Sequence, residues 1–328
     1  MERFLKARAM LALAVVFCAT TISFAGPAKA EYPDQQITVL STSSPGSGGD
    51  IIVRFYAKKL EDLTHQTFIV ENKPGANGHI GMQTLMRSKP DGYTMLLNGA
   101  SFVVGNTFTM KVADYNPLTD ITPISGLFQL GVVLITGANN DIRTVSDLVD
   151  YLKKKNGDST YGMTNVSNQI ATAMLLGATG TSANPIQYKA PQQTADDLYA
   201  NMVDFGFADT PGSIAQEKAG RVKILAVTTA DRVPAAPQFP TMKEAGVPNF
   251  EYSVIWASWF PKGTPPEIVR KMNELITKVN QDPETKEFLK NQGANPLPTP
   301  TPEDAAAAVK KFYDNWAEMT AKLKIEKQ

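Results

Sequence analysis

The period of apolar and polar positions changes repeatedly along this chain. Ile37–Ser41 is a short apolar run of strand character, and beyond a Gly-rich loop Ile52, Tyr56, Leu60 and Leu63 recur at helical spacing, marking one buried face. Residues 67–70 and 94–98 read as two further strands, separated by a turn-rich stretch and a short helix over 80–86, and strands over 124–128 and 132–136 follow. The strongest helical signal comes next: Val145, Leu148, Val149 and Leu152 stand at i, i+3, i+4 and i+7, and Thr144 with Asp147 makes a capping box in front of them. A second series starts there, with strands over 160–163, 185–188, 204–208 and 223–228 and helices between them. After a Pro-rich connection at 233–240, a strand-like stretch over 252–260 leads to helices starting near Pro265, Pro283 and Pro302, where the N–H that proline lacks had no helical partner.

Such alternation predicts an α/β protein. Two βα series joined by extended connections predict two lobes around a cleft, each a mostly parallel sheet flanked by helices. Lobe 1 comprises residues 31–130 and 252–328, so that the closing helices return to it, and lobe 2 comprises residues 131–251. Ligand-driven closure is expected to bend the connections near 128–132 and 232–251.

The first thirty residues have a different character. Arg3, Lys6 and Arg8 precede an apolar run over 9–19 and then the small-residue pattern Ala28-Lys29-Ala30, the arrangement of a secretory leader cut after Ala30. The run is roughly half of the ~20 residues that span a bilayer, so a retained anchor over 9–24 is the weaker alternative. A periplasmic location is expected. The one cysteine, Cys18, falls inside the leader, leaving 328 − 30 = 298 residues without a thiol for catalysis, metal binding or disulfides. Removing four basic residues and one acidic residue from 32 of each leaves 28 against 31, a charge of −3, which offers no basic field for nucleic acid. That length favours two hydrophobic cores over one.

Candidate chemistry lies in two loops. Ser43, Ser44, Pro45, Gly46, Ser47, Gly48 and Gly49 connect the first strand to its helix, where main-chain N–H groups and the helix dipole suit an anion. Glycine permits close backbone approach, the serines add hydroxyl donors, and Asp50 is expected to cap the helix. A dinucleotide fingerprint begins at Gly46-Ser47-Gly48 but meets Ile51 where a third small residue belongs. In the second series, Thr164, Asn165, Val166, Ser167, Asn168 and Gln169 occupy the equivalent place, with Ser167 or Asn168 as alternative helix caps. Sites in open α/β sheets gather beyond the carboxyl ends of strands, so the pair suggests a clamp across the cleft. His65 and His79 have no companion at metal-ligand spacing, and no nucleophile-base pair is recognisable.

Several segments resemble one family. Residues 70–81 (VENKPGANGHIG), 90–94 (PDGYT), Tyr188-Lys189, 219–228 (AGRVKILAVT), 240–248 (PTMKEAGVP) and 263–269 (GTPPEIV) are similar, in order, to signatures of the tripartite tricarboxylate transporter receptors, also called Bug-type solute-binding proteins. The resemblance runs from about residue 32 to the last helix. It implies a Venus-flytrap periplasmic binding protein that needs no cofactor or metal and is not an enzyme. One ligand carboxylate would be held by the two loops, partly through water, with Asp209 of Phe207-Ala208-Asp209 at the pocket edge. It further implies a monomer that captures a small organic carboxylate and delivers it to the integral-membrane subunits of a tripartite transporter. A sensory receptor and a secreted enzyme are the alternatives. Two features depart from the family pattern: the second loop lacks the glycine usual there, and the aromatics of residues 255–260 are placed differently. Trp256 or Trp259 is the expected apolar wall for the ligand's body.

Overall fold

Ile37, Val39 and Leu40 are almost wholly shielded from solvent, as a strand covered on both faces requires. This strand, β1 (Ile37–Ser41), lies between β2 (Phe68–Asn72) and β3 (Thr94–Gly99), parallel to both. The computed structural model describes residues 31–322 apart from 235, together with 325 and 327, so the leader expected over 1–30 lies outside the described residues. The described residues from Gln35 onward belong to one compact unit. No helix among the described residues is long and apolar enough to cross a membrane.

Between β1 and β2 runs α1 (Gly48–Thr64), which buries Ile52, Val53, Tyr56, Ala57 and Leu60; Leu63, expected on the same face, is exposed. The helix closes at His65 in a left-handed conformation. A short α2 (His79–Arg87) precedes β3, and a π-helical turn over Ser101–Gly105 leads from β3 into α3 (Asn106–Thr109).

The two strands expected over 124–128 and 132–136 are one strand, β4 (Ile121–Gly137), of 17 residues. Its first part pairs with β9 (Ser253–Pro261) and β10 (Ala294–Pro296), its second with β7 (Phe205–Asp209) and β8 (Val222–Val227). The change of partners falls at Gly131, where an added Cβ would come within 2.7 Å of Thr229. Around β4 the second series builds α4 (Val145–Lys155), β5 (Thr160–Met163), α5 (Val166–Thr179), β6 (Asn184–Gln187), α6 (Pro191–Tyr199) and α7 (Thr210–Lys218). The sheet order is β2-β1-β3-β9-β4-β7-β5-β6, with β8 and β10 also on β4. Pairing is parallel within β2-β1-β3 and β6-β5-β7 and antiparallel wherever β4 or β9 takes part, so each lobe is mixed rather than mostly parallel.

The closing elements α8 (Pro266–Gln281), α9 (Pro283–Asn291) and α10 (Pro302–Lys322) pack on the β1 side. Buried polar contacts fix them there: Tyr56 Oη donates to Asn280 Oδ1 at 2.8 Å, and Asn273 Nδ2 donates to the Ile124 carbonyl at 2.8 Å. Buried Thr228 joins the two crossings between the lobes, accepting from Val132 N at 2.9 Å while its main-chain carbonyl accepts from Tyr252 N at 2.8 Å. The segment 128–132, expected to bend, therefore lies inside a continuous strand.

Candidate functional site

Ser47 takes up extended backbone and caps α1, its Oγ accepting from Asp50 N at 3.5 Å. Asp50 is thus not the cap. It sits in the first turn, buried, and its carboxylate accepts from Gly46 N (2.8 Å), Arg54 Nε (2.9 Å) and Asn72 Nδ2 (2.7 Å). Asn72 Nδ2 also donates to the Ser43 carbonyl at 2.9 Å, so the last residue of β2 anchors the loop. Burial pushes the Asp50 carboxyl up, but the Asn72 amide, the Arg54 guanidinium and the Gly46 N–H together outweigh it and hold the group ionised, below its ordinary value. Arg54 is half-exposed, with its guanidinium committed to Asp50 and Asn72.

Two glycines shape this loop. Gly46 has φ +77°, a conformation that L side chains rarely adopt, and a Cβ on Gly49 would lie 2.2 Å from Ser43 Oγ and 3.1 Å from the Trp256 ring. The first N–H groups of a helix have no intrahelical acceptor. With Asp50 N satisfied by Ser47, those of Gly48 and Gly49 remain at the helix end.

At the second loop Asn165, rather than Ser167 or Asn168, caps α5 through a bond from Asn168 N to its Oδ1 at 3.1 Å. Asn168 reciprocates, its Oδ1 accepting from Thr164 N (3.1 Å) and Thr164 Oγ1 (2.9 Å). The N–H groups of Val166 and Ser167 then stand without an intrahelical acceptor. A third helix start adjoins them: Asp209 caps α7, accepting from Gly212 N at 2.8 Å, and its side chain is exposed.

These helix starts meet at one cleft of about 540 Å³. Of the residues singled out in the sequence, Ser43, Ser47, Gly48, Gly49, Asn165, Ser167, Asn168, Asp209 and Trp256 line it. Ser44, Pro45, Gly46, Thr164 and Gln169 do not; Ser44, Gly46, Thr164 and Gln169 instead brace the loops through hydrogen bonds. Ile52, Phe102, Leu130, Val132, Val254 and Trp256 contribute to the apolar lining, which continues through Ile135, Ala195 and Val222 toward α6. Trp256 stacks on Phe128 with ring centroids 5.4 Å apart, whereas Trp259 is fully buried in the core. Sequence reasoning missed Ser101 and Phe102 after β3 and Gln192, Ser213 and Gln216 at the α6 and α7 end. Ser101 is buried, and its Oγ has no hydrogen-bond partner among the described residues. The preference of ligands for the carboxyl ends of strands, applied to β3 as it was to β1 and β5, points to it. No cluster of three or more His, Cys, Asp or Glu suited to a metal occurs among the described residues.

The similarity to known proteins extends over nearly the whole chain. Protein BugT of Bordetella pertussis is 30% identical over 324 residues, covering 96% of this chain and 98% of the relative. Among solved structures, R. palustris Rpa4515 with adipate superposes with a TM-score of 0.83 at 26% identity, covering 91% of this chain and 100% of that one. The periplasmic binding protein BugD superposes at 0.79 with 31% identity, covering 90% and 100%. The model of the tripartite tricarboxylate transporter family receptor matches residues 52–321. With that match, the relatives and a two-lobed mixed sheet opening on one cleft, this chain belongs to the tripartite tricarboxylate transporter receptor family of solute-binding proteins.

Proposed function

We propose that this protein is a periplasmic receptor that holds a carboxylate of a small organic solute between the N-termini of α1 and α5 and delivers the solute to the membrane subunits of a tripartite tricarboxylate-type transporter. The observation that carries this reading is the convergence of Ser47, Gly48 and Gly49 with Asn165, Ser167 and Asn168 on one cleft. The N–H groups that a helix leaves unpaired, together with its dipole, favour an anion, and hydrogen bonds to a charged acceptor contribute about 1.5–3 kcal/mol each. A relative of similar fold solved with adipate supports a carboxylate ligand. Recognition by main-chain amides does not depend on an arginine fork, and no Arg or Lys lies within 43–50 or 164–169.

A thermal-shift screen against small carboxylates finds the ligand, since a solute that binds the folded state raises its apparent stability. Calorimetry then compares the best ligand with its carboxamide, which presents a donor where the site expects only acceptors. The acid should bind at least tenfold more tightly; equal affinities remove the two-loop carboxylate site. Loss of uptake on deletion of the gene separates delivery to a transporter from sensing.

A further inference from the structure

Tyr252 stands where the second crossing between the lobes enters β9, and its main chain is held twice by one residue. Its N–H donates to the Thr228 carbonyl at 2.8 Å, and its own carbonyl accepts from Thr228 Oγ1 at 2.7 Å. The side chain is buried, yet its hydroxyl closes no hydrogen bond of ordinary geometry among the described residues. The side chain that it approaches is Ser167, in the first turn of α5, which lines the cleft. Burial pushes the phenol well above its ordinary value and Ser167 draws it back only in part, so the group keeps its proton.

An unpaired buried hydroxyl is costly, and the neighbour that can relieve this one belongs to the ligand site. A serine hydroxyl carries one hydrogen and two lone pairs, so by itself Ser167 has no fixed polarity toward the cleft. A carboxylate only accepts. Once Tyr252 Oη donates to Ser167 Oγ, the single serine hydrogen turns to the cleft, and two hydrogen bonds in series strengthen each other. We propose that Tyr252 is a positioning residue for ligand recognition, donating to Ser167 Oγ and thereby committing the Ser167 hydrogen to the carboxylate held at α5. The inference rests on the carboxylate reading above and adds to it a group that stands outside the cleft lining. Because Thr228 clamps the Tyr252 main chain, the same contact ties the anion to the point where the lobes join.

Calorimetry with adipate against adipamide and benzoate against benzamide tests it on the wild-type protein, Tyr252→Phe, Ser167→Ala and the double variant. Tyr252→Phe should weaken the acids about fivefold and the amides less than about twofold. Its melting temperature without ligand should equal or exceed the wild-type value, since a hydroxyl without a partner adds nothing to the empty fold. Ser167→Ala should weaken the acids about tenfold, and adding Tyr252→Phe to it should cost no more than about a further twofold, because the phenol acts through the serine. Losses that multiply in the double variant, amides weakened as much as acids, unchanged affinity for acids in Tyr252→Phe, or a lower melting temperature in that variant each overturn the inference and leave the carboxylate site standing. Acids bound no more tightly than amides by the wild-type protein, or no binding of either acid, remove the site and the inference with it.

Discussion

Gly48 and Gly49 are neighbours under opposite constraints. A Cβ on Gly49 has no room against Ser43 and Trp256, whereas one on Gly48 meets nothing within 4 Å and its φ is outside the left-handed region. Gly49→Ala should therefore displace the loop and lower the melting temperature, while Gly48→Val should keep the wild-type melting temperature and weaken ligand binding by more than tenfold by obstructing approach to the helix end. Paired thermal melts and calorimetry check this; a stably folded Gly48→Val protein with full affinity would place the ligand elsewhere. The role of Asp50 was harder to read. Ser47 and Asp50 have the spacing of a capping box, which identifies Ser47 as the cap, but Asp50 reaches Gly46, Arg54 and Asn72 instead of completing the box on Ser47. The Asn72 contact joins two loops distant in sequence, and no local pattern announces it.

Helix caps divide into those that only hold a helix and those that also shape the cleft. The Thr144 box on α4 is complete, with Asp147 N donating to Thr144 Oγ1 at 3.1 Å and Thr144 N to Asp147 Oδ2 at 2.9 Å, and it is distant from the cleft lining. Asn165 caps α5 and also lines the cleft. Thr144→Ala and Asn165→Ala should each cost about 1 kcal/mol in chemical denaturation, but only Asn165→Ala should weaken ligand binding as well. An equal loss of affinity in both would mean that cap strength alone, not the cleft, governs binding. Local periodicity and capping made most helices legible, among them α4 and the three that begin at or beside prolines. Strand partners were less so. Two strands were expected over 124–128 and 132–136, yet one strand continues through the gap and changes partners at Gly131. The insertion of β9 between β3 and β4 depends on contacts across more than a hundred residues, which period and turn signals do not encode.

At the scale of the molecule, the two-lobed α/β plan and the return of the closing helices to the β1 side were legible from the order of elements and from family motifs. The distal lining was not, because Gln192, Ser213 and Gln216 lie on ordinary amphipathic helices and acquire meaning only when α6 and α7 are brought beside the cleft. The continuity of β4 has a further consequence. Because both lobes hydrogen-bond to one strand and Thr228 ties the two crossings together, neither lobe can melt without stripping partners from the other. All three tryptophans, Trp256, Trp259 and Trp316, stand on β9 and α10, so fluorescence reports the β1 side while far-UV circular dichroism reports the whole chain. Titration with urea should give coincident midpoints by the two probes, and separated midpoints would show lobes that unfold independently. A receptor built in this way has no half that survives alone: cutting the chain between β4 and β5 should yield fragments that fold only when they are reunited.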